Sequence, residues 1–364
     1  MSFSVGIVGL PNVGKSTLFK ALTKKGVDIA SYPFTTIEPN VGIVAVPDER
    51  LEKIASLVKP EKITPTIIEF VDIAGIVRGA HQGEGLGNQF LAKIRNCEAI
   101  LEVVRTFKDP NIGHVDGEMN PERDIRTIRF ELLMKDLETI EKYQNKIEKE
   151  ARANKEEQKK LELIRKVKDN LSQERIISEL NLSEEEKYQI KDLQLLTLKP
   201  LLYLINIKDD DPVCLTAIQS IKGLTKENSL VLNLKIEEEV SELSEREAAE
   251  LGIKSQLDQL IIACYNILDL ITFYTIAGGK EARAWTIKRG AVAPEAGGKV
   301  HSDFEEKFIR AEVINWNFLT SVEMRPEWQK LSGAIWTKTK ESGQVKTVGK
   351  NYVVEDGDII EFKI

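Results

Sequence analysis

Short apolar runs alternate with segments of helical periodicity in the first third of the chain. Between residues 4 and 110, four runs are short, apolar and rich in β-branched residues: VGIV, VGIVAV, TIIEFVDI and AILEVV. Each is typical of a buried strand. The segments after Lys15 and from Gly87 to Asn96 have helical spacing. This alternation predicts a mostly parallel β-sheet covered by helices.

The pattern changes near Pro121, where helical spacing replaces the alternation. From about Pro121 to Leu195 there is almost no glycine or proline, and apolar residues recur at helical intervals. We expect a projecting pair of antiparallel helices here. Strand-like runs return in PLLYLIN (200–206) and SLVLNL (229–234). The helical block is therefore predicted to be an insertion within the α/β domain.

The last part of the chain has a third character. A helical pattern from about Glu237 to Leu270 gives way to the strand-like runs TFYTI, ARAWTI, FIRAEVI and YVVEDGDIIEFKI, the last with a turn at EDGD. We predict three domains: an α/β domain of residues 1–120 and 196–270, a helical domain of residues 121–195, and a mixed α/β domain of residues 271–364.

Composition narrows the class of protein. The 364 residues are 42% hydrophobic and 30% charged, which is typical of a folded, soluble chain. No apolar run is long enough to span a bilayer, and the N-terminus reads as a strand instead of a signal peptide. The three cysteines, Cys97, Cys214 and Cys264, form no metal-ligand pair. We expect a cytoplasmic protein without a membrane partner. The net charge of −7 argues against a general binder of polyanions.

The stretch GLPNVGKST has the spacing of a phosphate-binding P-loop, after a strand and at the start of a helix. Gly9 and Gly14 let backbone N–H groups converge on phosphate oxygens. Lys15 supplies charge at the β- and γ-phosphates, and the Ser16 hydroxyl can ligate Mg²⁺.

Two further stretches fit the same site. In VDIAG, Asp72 ends an apolar strand and can hold the metal through water, while the N–H of Gly75 can sense a γ-phosphate. In SYPFTTIEPNVG, a threonine of the pair Thr35 and Thr36 can complete the metal shell, as switch loops do. The alternative for that stretch is an ordinary loop with two solvated threonines.

Together with GAHQGEGLGNQF (79–90), these stretches resemble the YchF subfamily of Obg-related P-loop NTPases, also called Obg-like ATPases. The stretches that match are GLPNVGKST, YPFTT, DIAGIVRGAHQGEGLGNQFL and FIRAEVI…YVVEDGDIIEF, so the resemblance covers nearly the whole chain. It implies an α/β fold: a Ras-like P-loop NTPase domain with a mostly parallel sheet, an inserted antiparallel coiled-coil domain, and a C-terminal TGS domain of the β-grasp type.

The resemblance also implies site residues and partners. Ser16 and Thr36 would ligate Mg²⁺, and Asn12 matches the position that holds K⁺ in potassium-dependent relatives. By the resemblance, the phosphates would be bound by Asn12, Val13, Gly14, Lys15, Ser16 and Thr17. Family members are associated with ribosomes and hydrolyse ATP. Where Ras-like enzymes place a water-orienting Gln, this chain has Ile76, so turnover is expected to be slow unless another group positions the water. By the resemblance, that group is His81, in the glycine-rich stretch that follows.

The base-reading element is expected after PLLYLIN, in NIKD, residues 206–209. GTPases of this class use Asn-Lys-x-Asp, but Ile207 replaces that lysine. YchF relatives have Asn-x-x-Glu, and Asp209 departs from them with a shorter, guanine-compatible side chain. Asn206, Ile207 and Asp209 are expected to bind the nucleotide, as is Asn233. ATP is favoured and GTP remains open.

Basic residues suggest a nucleic-acid contact. In the C-terminal part, Arg283, Lys288 and Arg310 accompany Trp285, a set that would suit ribosomal RNA, although Trp285 may equally be core. The lysines on the inserted helices are interspersed with glutamates, which favours a solvated face.

The sequence is compatible with three functions, of which the first is favoured. The first is a slow Mg²⁺-dependent NTPase, monomeric, that acts as a ribosome-associated switch in translation or stress response. The second is a GTP-binding or ribosome-binding adaptor with little hydrolysis. The third, a metabolic kinase, is disfavoured because no second-substrate pocket is evident.

Overall fold

The structure is a computed structural model that describes residues 3–26, 39–73, 75, 79–80, 86–114, 117–150, 155–208, 221, 223–277, 280–321, 339–340 and 343–364. These residues form two compact units. The first contains the N-terminal segment up to Gly26, a segment ending at Val44, and Glu69–Leu260; the second contains Ala45–Ile68 and Ile261–Ile364. The helical block thus groups with the first unit, and Ala45–Ile68 groups with the C-terminal part. The division into three domains stays a prediction.

The strands are numbered in chain order. They are β1 (Phe3–Val8), β2 (Val41–Ala45), β3 (Lys62–Thr64), β4 (Ile67–Asp72), β5 (Ala99–Arg105), β6 (Leu201–Asn206), β7 (Ser229–Leu232), β8 (Leu270–Ala277), β9 (Glu281–Lys288), β10 (Arg310–Asn315), β11 (Lys346–Val348) and β12 (Asp358–Lys363).

The helices are numbered in the same way. They are α1 (Lys15–Lys24), α2 (Glu49–Val58), α3 (Leu86–Arg95), α4 (Pro121–Glu150), α5 (Lys155–Ser172), α6 (Glu184–Ile190), α7 (Leu234–Val240), α8 (Glu245–Glu250), α9 (Leu257–Ile267), α10 (Ala293–Val300), α11 (Ser302–Glu306) and α12 (Trp316–Ser321). No helix in these ranges is both long enough and apolar enough to cross a membrane.

The sheet of the first unit has the strand order β2-β4-β1-β5-β6-β7. The pairs β1–β5, β5–β6 and β6–β7 are parallel. All seven residues of β5 are buried, including Glu102 and Arg105, and the other five are apolar as expected for a central strand of a parallel sheet. The carboxyl ends of β1, β4 and β6 carry the P-loop, Asp72 and Asn206, and these ends meet at one edge of a parallel sheet.

In the sequence, the helical block lies between β5 and β6. In the sheet, these two strands are direct neighbours, with Ile100 opposite Leu201. Helices α4 and α5 pack through a shared apolar cluster that includes Ile140, Ile147, Ile164 and Val167. Ion pairs join Lys168 to Glu141 and Arg165 to Glu148, and this reversed order shows that the helices are antiparallel. Both helices follow the predicted spacing.

The sheet of the second unit has the strand order β11-β10-β12-β8-β9-β3 and mixes parallel with antiparallel pairs. One face packs on a cluster containing Phe273 and Ile287. The other face packs on α2, whose Ile54 contacts a cluster containing Tyr274 and Ala284. The helix α2 and the three-residue strand β3 were not predicted.

The helical pattern predicted from about Glu237 to Leu270 corresponds to three separate helices, α7, α8 and α9. Ser244 begins α8 with a reciprocal capping box to Glu247, and Gly252, with φ +67°, follows its end. Such caps terminate a helix even where the apolar spacing continues.

Candidate nucleotide-binding site

The P-loop connects β1 to α1 and depends on its glycines. Gly9 and Gly14 have φ of +149° and +109°, a region that favours glycine. A Cβ atom on Gly9 would lie 2.6 Å from the carbonyl oxygen of Val103. The loop therefore has the strand–loop–helix context of a phosphate cradle, with the N-terminus of α1 at its end.

Lys15 lies within this loop and is only 7% exposed. Its ammonium group donates hydrogen bonds to the carbonyl oxygens of Leu10 (2.7 Å) and Gly9 (3.2 Å). Burial lowers the pKa of Lys15 to about 8, and the charge of Asp72 opposes that shift. A phosphate beside Lys15 would compensate its buried charge far better than two neutral carbonyls do.

The predicted metal ligands Ser16 and Asp72 belong to this neighbourhood. Ser16 is exposed at the first turn of α1, and Asp72 ends β4 and is half-buried. Burial raises the pKa of Asp72, while Lys15 and Lys93 act against that rise. A hydroxyl and a carboxylate are the hard oxygen donors that Mg²⁺ takes beside phosphate oxygens. These residues fit a magnesium ion.

Gly75 lies directly against the P-loop. A Cβ atom at this position would be 3.0 Å from the backbone nitrogen of Pro11. The close approach places the D-x-x-G stretch next to the loop, as predicted, and explains why a residue without a side chain stands here.

Asn206 ties the base-reading stretch to the P-loop. Its amide donates to the carbonyl oxygen of Val13 (2.9 Å), and its side-chain oxygen accepts from the N–H of Leu234 (3.2 Å). The side chain is 5% exposed, and a Cβ atom on Gly14 would meet its amide nitrogen at 2.6 Å. Asn206 therefore acts on the site through the P-loop backbone. A direct bond to the base stays a prediction.

Ile207 and Asn233 have structural surroundings of their own. Ile207 is 6% exposed and packs in an apolar cluster with Tyr203 and Ile221, so only its backbone is available to a nucleotide. Asn233 caps α7, where its oxygen accepts from the N–H groups of Lys235 and Ile236 at 3.2 Å each. Its amide donates to the carbonyl oxygen of Lys208. Nucleotide binding by either residue stays a prediction.

Arg105 was missed by sequence reasoning. It ends β5, is buried, and donates to the carbonyl oxygens of Asn12 (3.1 Å) and Ile112 (3.3 Å). The amide of Asn12 in turn donates to the carbonyl oxygen of Gly113 (3.2 Å). Asn12 has a positive φ of 64°, which asparagine tolerates better than most residues. The signal was an arginine at the end of a strand whose other residues are apolar apart from Glu102.

Trp285 is not available as a free stacking platform. The Arg283 guanidinium lies 4.1 Å from the centre of its ring, and Phe273 stacks on it with ring centres 6.4 Å apart. Its indole N–H donates to the hydroxyl of Thr275 (2.9 Å). These contacts favour the core interpretation, as Ile287 on the same strand face suggested.

Several predicted site residues lie outside the described residues. They are Thr35, Thr36, Ile76, His81 and Asp209. Their predicted roles stay predictions.

Comparison with known proteins agrees with this geometry. A family profile described as "50S ribosome-binding GTPase" matches residues 4–150, and the profile YchF-GTPase_C, described as a protein of unknown function (DUF933), matches residues 270–364. The Ribosome-binding ATPase YchF of Bacillus subtilis (strain 168) is 46% identical over 375 residues, covering 100% of this chain and 99% of the relative. The chain belongs to the YchF family. The protein of the same name from Escherichia coli O157:H7 is 45% identical with the same coverage.

A solved family member has the same fold. The YchF GTPase of Schizosaccharomyces pombe superposes with a TM-score of 0.83 at 35% identity, covering 100% of this chain and 98% of that one. The predicted P-loop NTPase fold and the resemblance to the YchF family are confirmed. The TGS assignment for the C-terminal part stays a prediction.

Proposed function

We propose that this chain is a Mg²⁺-dependent ATPase that binds the ribosome and works as a molecular switch in translation or stress response. The main support for this proposal is the complete P-loop with a buried Lys15. This loop stands in a chain that matches proteins named as ribosome-binding ATPases along its whole length. The relatives named as ribosome-binding ATPases are 45–46% identical and are covered to 99% of their length, which supports the transfer of that activity to this chain.

The chain's own residues account for binding and charge stabilisation. Gly14 and the first turn of α1 direct N–H groups at the phosphates, and Lys15 neutralises charge at the β- and γ-phosphates. Ser16 and Asp72 would hold the metal, the first directly and the second through water. When bound, the metal would supply positive charge that offsets the charge of the phosphates. Gly75, beside the loop, is placed to sense the γ-phosphate.

A potassium ion is the second proposed cofactor. The Asn12 amide nitrogen faces the carbonyl of Gly113, so the side-chain oxygen points the other way. A fixed amide oxygen beside the phosphates suits a monovalent cation that adds positive charge there.

ATP is proposed as the preferred nucleotide over GTP. The family relation supports ATP, whereas Asp209 is the residue that argues for guanine. A competition titration of the purified protein with ATP and GTP tests the choice. GTP binding more tightly than ATP by about tenfold would overturn it. In that event Asp209→Glu should shift the preference back toward ATP.

Hydrolysis is proposed to depend on His81, because Ile76 has no group that can orient water. His81→Ala should lower turnover by about a hundredfold and leave nucleotide affinity nearly unchanged. Turnover is to be measured with and without ribosomes. An adaptor with a regulatory nucleotide site is the alternative, and it predicts ribosome binding with negligible turnover under both conditions.

A further inference from the structure

A residue of the inserted helix α4 contacts the backbone just beyond the D-x-x-G stretch. The N–H of Gly79 donates a 2.7 Å hydrogen bond to a carboxylate oxygen of Glu131. Glu131 is 1% exposed. Gly79 has φ +83° and lies four residues after Gly75, which itself abuts the P-loop.

Helix α4 is firmly held on either side of Glu131. Toward its middle, the buried Asp136 carboxylate accepts from the N–H groups of Leu196 (2.8 Å) and Thr197 (2.7 Å), just before β6. Toward its start, Asp124 pairs with His114 at 2.9 Å, next to the Gly113 carbonyl that accepts from Asn12. The Glu131 carboxylate is therefore presented from a helix fixed to the sheet that carries the P-loop.

The same face of α4 makes a further contact with the neighbouring element. Arg95, at the end of α3, donates to the hydroxyl of Thr139. Asp124, Glu131 and Thr139 are seven and eight residues apart, a spacing that puts them on one side of a helix. This side of α4 thus borders both ends of the stretch from Gly79 to Arg95.

We infer that Glu131 is a positioning residue for nucleotide hydrolysis. Ile76, the residue after D-x-x-G, cannot orient the attacking water, and the proposed water-orienting residue His81 follows Gly79 by two positions. A buried carboxylate that accepts from the Gly79 N–H holds the backbone at Gly79, the described residue from which the chain continues to His81. The inserted helix thereby completes the hydrolytic site. This inference rests on the proposed ATPase function.

The consequence is a separation of turnover from binding. Glu131 is linked to the stretch after D-x-x-G and makes no described bond to the P-loop. Its loss should lower kcat by about tenfold to a hundredfold, because small misplacements of reacting groups have effects of that size. Affinity for ADP should change by less than about threefold, since ADP lacks the γ-phosphate.

The test compares Glu131→Leu with Glu131→Gln. Leucine removes the acceptor, whereas the glutamine amide oxygen can still accept from the Gly79 N–H. Wild-type ATP turnover is measured first, and then single-turnover rates and ADP affinity of each variant. Glu138→Leu is the matched control, since Glu138 lies on the same helix and pairs only with Lys135 and Lys142 among its described ion pairs. We expect slow turnover for Glu131→Leu, and near wild-type turnover for Glu131→Gln and the control.

A second variant and a second measurement keep the inference testable if Glu131→Leu misfolds. If Glu131→Leu does not fold, Glu131→Asp, which shortens the side chain by one methylene, should show the same loss of turnover. Hydrogen exchange at Gly79 should be slow in the wild type and in Glu131→Gln, and fast in Glu131→Leu and Glu131→Asp. A wild-type single-turnover rate in folded Glu131→Leu or Glu131→Asp would overturn the inference, as would an equal loss of ADP affinity and turnover. A wild type without any turnover would instead refute the proposed ATPase function.

Discussion

The side-chain amide of Asn206 donates a 2.9 Å hydrogen bond to the backbone carbonyl of Val13, 193 residues earlier in the chain. The bond joins the end of β6 to the middle of the P-loop. Since Asn206 also accepts from the Leu234 N–H, one buried amide connects three segments around the nucleotide site. The end of β6, where base recognition is predicted, is thus tied directly to the phosphate loop.

Asn206→Ala should weaken ADP and ATP to the same extent. It leaves the Val13 carbonyl and the Leu234 N–H without this partner, a loss of about 1–3 kcal/mol for each buried group. We expect affinity to fall by about tenfold or more in fluorescence titrations. Asn228→Ala is the control, because Asn228 also bonds only backbone groups, at Thr225 and Gly223. A loss confined to one nucleotide would contradict a role through the P-loop.

Lys15→Met should abolish hydrolysis and yet stabilise the nucleotide-free protein. Burial lowers the pKa of Lys15 from 10.5 to about 8. Between these two values the unfolded chain binds more protons, so wild-type stability rises with pH across that window, and the cost is fully present below pH 8. We expect a gain of about 1–3 kcal/mol at pH 7, fading by pH 10.5.

Denaturant unfolding at pH 7 and at higher pH measures this effect. Lys20→Met is the matched control, since Lys20 lies exposed on the same helix and pairs with Glu238 at 2.7 Å. A lower stability of Lys15→Met at pH 7 would show that the bonds to Leu10 and Gly9 outweigh the burial of the charge.

Glu102→Gln should flatten the dependence of stability on pH. Glu102 lies in β5, 1% exposed, where burial raises its pKa well above the ordinary value and Asp124 adds to the shift. The folded state holds this proton at pH values where the unfolded chain has lost it, so stability should fall as pH rises from the ordinary carboxyl range. Melting temperatures of the wild type and variant at mildly acidic and mildly alkaline pH test this. Glu162 is exposed, so Glu162→Gln should leave the pH dependence of the melting temperature unchanged. An unchanged pH dependence in Glu102→Gln would contradict this prediction.

Potassium should raise turnover more than sodium does at matched ionic strength, and Asn12→Gly should remove the difference. Glycine keeps the positive φ of Asn12 without strain, so this variant deletes the amide and spares the loop. Steady-state rates in the two chloride salts are the measurement. Equal wild-type rates in both salts would speak against a bound K⁺.

The sequence by itself determined the six strands of the first sheet, the helix pair of the inserted block and the phosphate loop. Strand and helix patterns depend on side chains two to four residues apart, and the P-loop conformation depends on Gly9 and Gly14 at their own positions, so each is encoded locally. The same held for the antiparallel pair α4 and α5. The pattern did not indicate where short caps divide it, as at Ser244 in the segment after Glu237.

Only the tertiary structure decided which distant residues complete the site. Arg105 meets Asn12 across 93 residues, and Glu131 meets Gly79 across 52. The tertiary structure also shows that α2 and β3 belong to the C-terminal unit and that the side chain of Ile207 packs in an apolar cluster. No local periodicity specifies such contacts, because they arise when the sheet order brings separate elements together and buried polar groups must then find partners. Nothing in the sequence around Glu131 or around Gly79 indicates that these two residues form a hydrogen bond.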